Sequence, residues 1–415
     1  MQSILSDYLD YYKSVNRNVA RYFGILIFVT ILNSAYNILF GIYLKNLGFN
    51  EDVVGQVLSL KTLGIAIGAV PVAIFAKRLN QKMTLISGLL VMAACSLVMI
   101  NVPIIALVNI FALFFGIGNA TVMVLQAPIL YENTEDVFRV TAFSTAFVLQ
   151  NVGFVIGSLV LGHLSESFSI FGGEAWGNRM VLNGATFLIG FALFLAFHLN
   201  GEQMLNASHQ ESIKEAFAGV LAGYQKLMMG KTFRYLIQVA LVGIGAGMIV
   251  PFFSIYLKYS LSISDGTVGI IMAISQVGTV LGGLIVPPLA KRLGRVNTVI
   301  ACQLLSIPFL ISISLPQGIV IITISFFFRS SLMNMASPII NSMAMEICSD
   351  DTRTFMSSMI SLVNNLFRAL GIFIGGYVMY HYSYNTPYYW TILCYLIGTA
   401  ILYRVFGKRK ASSAN

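Results

Sequence analysis

Along the chain, long apolar runs alternate with short polar breaks. Twelve runs stand out, over residues 22–44, 53–76, 83–100, 104–130, 140–163, 179–199, 234–257, 267–290, 296–314, 317–345, 355–380 and 387–407. A run of about 20 residues crosses a hydrocarbon core of roughly 30 Å as a helix. Lipid offers no partners to open backbone groups, so each run is predicted to be helical. The breaks carry Asn, Asp, Gly, Pro and basic residues, which punctuate helices. The pattern therefore predicts an all-α membrane protein of twelve transmembrane helices.

The remaining segments have patterns of their own. Residues 1–21 lack the apolar core of a cleavable signal and carry Asp7 and Asp10. Ile4, Tyr8, Tyr12, Val15 and Val19 recur at helical spacing, so an amphipathic N-terminal segment lying on the membrane surface is expected. Residues 200–232 form a linker in which Ser212 and Glu215 make an S-x-x-E capping pattern. Ile213, Phe217, Val220, Leu221, Tyr224 and Met228 would give it one apolar face. Residues 408–415 are a basic tail.

Composition agrees with the pattern. Charged residues make up 10% of the 415 and apolar residues 57%, against about 25% and 45–50% in soluble domains. Lys and Arg gather at the N-terminus, in the loops after even-numbered spans and in the tail, whereas the opposite side holds only Lys45, Arg179 and Lys258. The positive-inside rule then predicts cytosolic termini in a cell membrane. The net charge of +9 is read as this topology signal. Its dispersal over many loops argues against nucleic-acid binding. Cys95, Cys302, Cys348 and Cys394 show no paired spacing, so neither a metal site nor a disulfide framework is indicated. Paired acids and His/Cys clusters are missing from the spans, so catalysis and cofactors are not expected.

The chain also repeats itself. At an offset of 214 residues, 47–90 aligns with 261–304 without a gap, with thirteen identities. The same offset pairs Glu132 with Glu346, Arg139 with Arg353, Asn151 with Asn365 and Gly157 with Gly371. Two homologous six-helix bundles, 22–199 and 233–407, follow, related by pseudo-symmetry in parallel topology. Two such halves, cytosolic termini, a central linker and a basic motif in both the 2–3 and 8–9 loops resemble the major facilitator superfamily of secondary transporters. Its loop signature, G-x-L-A-D-R-x-G-R-K, is matched in part by "AIFAKRLNQK" at 73–82 and "PPLAKRLGRV" at 287–296. Lys77 and Lys291 stand where that signature has Asp, and Asn80 stands where the second copy has Gly294. "NVGFVIGSLVLG" at 151–162 lacks the G-P of proton-driven drug exporters.

The resemblance implies a gate. Glu132 and Arg139, Glu346 and Arg353, with Lys77, Arg78, Lys291 and Arg292 beside them, resemble the cytosolic charge networks that latch the halves of facilitator transporters. Deeper in the spans lie three cations, Lys61, Arg329 and Arg368, and no carboxylate. Lys61 and Arg368 are predicted at similar depth, about 12 Å below one end of span 2 and about 20 Å from the opposite end of span 11. Each shares a face with two glycines, Gly64 and Gly68 or Gly371 and Gly375. Small residues mark close helix contacts, so spans 2 and 11 are expected to meet on those faces. An anionic substrate group would supply the missing charge, with Arg offering its donor fork. The plainer reading is that backbone carbonyls, Asn side chains or water satisfy the cations.

Polar residues on other spans complete the candidate binding set: Asn33, Tyr36, Asn37, Asn119, Gln126, Asn151, Gln276, Asn334, Asn364 and Asn365. The expectation is a monomeric secondary transporter that moves a small or amphiphilic organic anion by rocker-switch alternating access around a central cationic site. The alternative is a proton-coupled exporter of lipophilic drugs or lipids. That chemistry normally uses a membrane-embedded Asp or Glu.

Overall fold

The computed structural model describes residues 15–200, 219, 222–348 and 353–407, and no strand occurs among them. Twelve helices are long and apolar enough to span a membrane. They are α1 (Arg17–Asn46), α2 (Glu51–Ala76), α3 (Gln81–Asn101), α4 (Ile105–Glu132), α5 (Asp136–Gly172), α6 (Glu174–Phe197), α7 (Gly230–Ser260), α8 (Asp265–Leu293), α9 (Arg295–Ile313), α10 (Ile319–Glu346), α11 (Phe355–His381) and α12 (Thr386–Phe406). The twelve predicted runs fall on these helices one for one. The helical expectations for residues before Val15 and for Ser212 to Phe217, Val220 and Leu221 in the linker, and the basic tail, lie outside the described residues.

The largest departure is between α5 and α6, where a polar loop was predicted over 164–178. The helices continue through it and are separated only by Gly173, at φ +83°. One polar pair joins the two helices. Asn178 donates to the Ser165 hydroxyl at 2.5 Å, and Ser169 donates to the Ser165 carbonyl. Serine and asparagine commonly join helices in this way inside membranes, so polarity alone misplaced the boundary.

Local chemistry sets the other ends. Asn16 caps α1 by accepting from the Asn18 N–H at 2.9 Å. Ser264 caps α8 by accepting from the Thr267 N–H. Asn80 and Gly294, equivalent in the repeat, both adopt left-handed backbone, at φ 92° and 82°. Asparagine is the side-chain-bearing residue that best tolerates this region. The substitution of Asn for Gly therefore keeps the turn, and Asn80 also accepts from the Lys82 N–H at 2.9 Å. Pro251 imposes a 3₁₀ turn over Val250–Phe252 in α7.

Two compact units are present. The first comprises residues 1–43 and 64–210, the second 44–63 and 211–415, so the end of α1 and the first half of α2 belong to the second unit. In the first unit α1 packs on α5 and α6, and α3 on α4 and α6. In the second, α7 packs on α11 and α12, α8 on α10, and α9 on α10 and α12. Large apolar side chains such as Phe187, Phe194, Leu284 and Val320 are mostly exposed along the spanning helices. In a membrane such residues form the lipid-facing surface. The repeat recurs in the contacts. Tyr43 donates to the Ile100 carbonyl in the first unit, and Tyr256, its equivalent, donates to the Ile313 carbonyl in the second.

Candidate functional site

Glycine packing positions the cations. In α11, Gly371 and Gly375 lie against the backbone of Ile244 and Met248 in α7. In return, Gly243 and Gly247 of α7 lie against the backbone of Asn364 and Arg368. Gly64 and Gly68 seat α2 on Leu113 and Ile117 of α4. These glycines therefore join helices within each unit. The expectation that they form the meeting face of spans 2 and 11 is corrected, because the small-residue stripe was assigned to the wrong neighbour.

Spans 2 and 11 do meet, through other residues. Gly55 lies against Gly376, and the Ser59 hydroxyl donates to the Ala369 carbonyl at 2.8 Å. These contacts run antiparallel, which brings Lys61 level with Arg368. The two cations lie within electrostatic reach of each other, and Arg368 lies within reach of Arg329 and Tyr395. Lys61 is 9% exposed and Arg329 5%. All three cations belong to the second unit.

Arg329 is the most constrained. One terminal nitrogen donates to the Tyr395 hydroxyl at 3.1 Å, and its guanidinium lies 5.2 Å from the centre of the Phe253 ring. Its Nε is buried with no hydrogen-bond partner, as is the hydroxyl of Tyr388, one face of α12 carrying both tyrosines seven residues apart. Neither Arg329 nor Arg368 enters an ion pair among the described residues. Buried polar groups normally find partners, and these two atoms have none.

The repeat sharpens the point. Arg329 is equivalent to Phe115 and Arg368 to Phe154, while Lys61 is equivalent to Ser275. Phe115 is fully buried and stacks on Tyr36 at 4.5 Å. Where the first unit completes an aromatic core, the second places a guanidinium beside Phe253, the equivalent of Phe40. Tyr388 and Tyr395 were absent from the sequence-predicted set. Their spacing in "YYWTILCY" was the available signal, but aromatic residues in spans are usually packing.

The predicted polar residues divide. Asn33 and Asn119 bond to each other reciprocally, at 3.3 and 3.1 Å. Tyr36 is fully buried, with its hydroxyl 2.7 Å from that of Ser96. Gln126 accepts from Gln150 at 3.1 Å. These contacts lie within the first unit and join its helices. The side-chain amides of Asn37, Asn151, Asn334 and Asn365 each donate to the carbonyl four residues earlier in the same helix. Gln276 and Asn364 are partly buried in α8 and α11. Among the described residues, no three His, Cys, Asp or Glu side chains cluster as metal ligands would. A pocket of about 620 Å³ between α9 and α12, lined by Ile300, Leu304, Leu396 and Tyr403 among others, lies apart from the cations. Its lining is mainly apolar.

The candidate gating charges are differently partnered from their spacing. Arg139 pairs with Asp136 at 2.7 Å and stacks on the Tyr131 ring at 3.6 Å. Glu132 accepts from Gln81 at 2.8 Å. In the second unit the equivalent contact is an ion pair, Arg295 to Glu346, made by both terminal guanidinium nitrogens. Lys291 and Arg292 are exposed. The side chains of Lys77, Arg78 and Arg353 lie outside the described residues.

The opposite ends of the second unit's helices carry a network that spacing did not suggest. Lys45 pairs with Glu51 at 2.5 Å, and Lys258 pairs with Asp265 at 2.7 Å, a repeat-related arrangement. Glu51 also accepts from Tyr384, and Tyr259 donates to Asn46 at 2.6 Å. Burial, and then the Glu51 carboxylate, hold the Tyr384 phenol above its ordinary pKa, so it remains a donor.

Twelve spanning helices in two repeated sets of six define a multi-pass membrane protein. The chain belongs to the Major Facilitator Superfamily, whose profile matches residues 22–234 and again 235–415. Solved structures of the same fold include a mutant of the nucleoside transporter NupG, with 17% identity and a TM-score of 0.80, covering 94% of this chain and 100% of that one. A bacterial homologue of the human lysosomal transporter Spinster matches with 15% identity and a TM-score of 0.75, covering 95% and 98% of the two chains. A POT family transporter in complex with 5-aminolevulinic acid matches with 11% identity and a TM-score of 0.72, over 95% and 98%. Among curated protein sequences, none matches.

Proposed function

We propose that this secondary transporter moves an organic anion, and that Lys61, Arg329 and Arg368 hold the anionic group. One observation carries the reading: two guanidiniums and an ammonium gather at mid-span, where the sequence has no acid, and the Arg329 Nε and Tyr388 hydroxyl are buried without partners. A cation at mid-membrane costs at least about 2.5–3.5 kcal/mol on insertion scales. Three together are retained for a negative charge that arrives with the cargo. Solved neighbours of this fold include a nucleoside transporter and a peptide transporter, so the fold leaves the cargo open and the cations are what support an anion.

Transport is assigned to alternating exposure of the site as the two six-helix repeats rock. The termini are cytosolic on the distribution of Lys and Arg. The Arg295–Glu346 pair and the Gln81–Glu132 contact join the gating set. The purified protein, screened against a panel of organic anions, is expected to melt at higher temperature with those it carries, since a ligand of the folded state stabilises it by mass action. The same anions should enter proteoliposomes, and Arg368→Gln should abolish both effects. Stabilisation by neutral compounds alone, indifferent to that substitution, would overturn the reading.

A further inference from the structure

We infer that the cluster selects substrates with two negative charges over those with one, a phosphate monoester being the form that carries both on a single head. The inference rests on the anion-transport reading above and concerns the charge of its cargo.

The argument is one of charge and donors. Arg329 and Arg368 are mutual electrostatic neighbours, neither enters an ion pair among the described residues, and Lys61 adds a third positive charge beside Arg368. The acid on the helix of Arg329 lies far from it. In α10, Glu346 is seventeen residues from Arg329, about 25 Å away. A single carboxylate would leave the two guanidiniums still repelling across a poorly screened interior. A second negative charge removes that repulsion.

Donor geometry points the same way. The Arg329 Nε is without a partner, and its Nη2 is shared with the Tyr395 hydroxyl. Tyr395 accepts that bond and so keeps its own proton to donate. The Tyr388 hydroxyl is a further free donor, on a residue 0% exposed. A phosphate monoester carries about −1.5 to −2 charge at neutral pH with three strong acceptor oxygens, and Arg matches such groups through paired donors.

The test uses two matched pairs: phenyl phosphate against methyl phenyl phosphate, and succinate against monomethyl succinate. Binding to the purified full-length protein is read by thermal shift and by competition for uptake into proteoliposomes. The doubly charged member of a pair should bind at least about ten-fold more tightly. The phosphate pair tests charge on one head, the dicarboxylate pair charge on two separated groups, and preference in either supports selection for two charges. Arg329→Gln should reduce the preference toward unity while leaving measurable binding of the monoanion. Equal binding within both pairs, abolished by Arg368→Gln, would overturn this inference and leave anion transport standing. No binding or uptake of any of the four would count against both.

Discussion

Replacing Arg329 with methionine separates two accounts of why a guanidinium sits in the middle of α10. If Arg329 is structural, its removal should unfold the second unit. If it serves a ligand, the protein should tolerate the loss. Holding the charge at mid-membrane costs about 2.5–3.5 kcal/mol. Leaving Nε buried and unbonded adds about 1–3 kcal/mol. Against this, the 3.1 Å bond to Tyr395 contributes about 1.5–3 kcal/mol. The Phe253 ring, 5.2 Å away, contributes about 0.5–2 kcal/mol. The balance is slightly unfavourable, and methionine is unbranched and fills irregular space well. Tyr395 would lose its partner, at a cost of about 1–3 kcal/mol. Arg329→Met is therefore expected to shift stability by no more than about 2 kcal/mol, in either direction. Unfolding in mixed micelles measures this, with and without a stabilising anion. The stabilisation by a doubly charged anion should shrink toward that by a singly charged one in the variant. A loss above about 3 kcal/mol, with anion stabilisation intact, would assign Arg329 to the scaffold and refute the argument.

Other expectations follow from close contacts. In Gly371→Ala the new β-carbon would overlap the Ile244 carbonyl, so α7 and α11 must separate at a cost of about 1–3 kcal/mol, while Gly184→Ala, with open space around it, should leave the melting temperature unchanged. Equal melting of the two variants would show that the α7–α11 contact is slack. At Asn80, with φ 92°, glycine should be nearly neutral, whereas valine adds left-handed strain and loses the bond to the Lys82 N–H, together about 2 kcal/mol. Valine and glycine variants of equal stability would contradict the turn as described. Tyr384→Phe removes a donor to the 6%-exposed Glu51, and a double-mutant cycle with Glu51→Gln should return a coupling of about 1.5–3 kcal/mol. Strict additivity in that cycle would leave the contact without energetic weight.

Much of the scaffold was legible because membranes make the code simple. A long apolar run can only be a helix in lipid, and the twelve runs became twelve helices. Boundaries failed where polar residues served helix contacts, as Ser165 and Asn178 do between α5 and α6. The three cations were found by the cost of burying charge, a signal independent of neighbours. Their tyrosine partners on α12 were not, because a buried tyrosine looks like packing until its hydroxyl is found unbonded. Neighbour assignment was the weakest inference. Gly371 and Gly375 announced a close contact, but a stripe of small residues does not say which helix fills it, and α7 does. Pairing of end charges was similarly hidden, since Glu132 and Glu346 reach the residue that opens the helix before their own and not Arg139 or Arg353.

The two repeats provide an internal control for separating scaffold from site. Where both copies need the same backbone geometry, the residues serving it agree in role. Gly64 and Gly278 lie against equivalent residues, Leu113 and Phe327, and Tyr43 and Tyr256 make equivalent bonds. Such positions are constrained by packing in each bundle, whatever the cargo. The three mid-span cations fall instead where the copies disagree: Lys61 opposite Ser275, Arg329 opposite Phe115, Arg368 opposite Phe154. The non-cationic copy shows what packing alone accepts at those places, for Phe115 is fully buried and Ser275 lies 2.5 Å from the hydroxyl of Ser330. Charge at these three positions is thus not demanded by the fold. All three lie in the second unit, although Lys61 comes from the first repeat. A fold that only required stability would not gather like charges from both repeats, and their common location is the asymmetry on which the proposed anionic cargo rests.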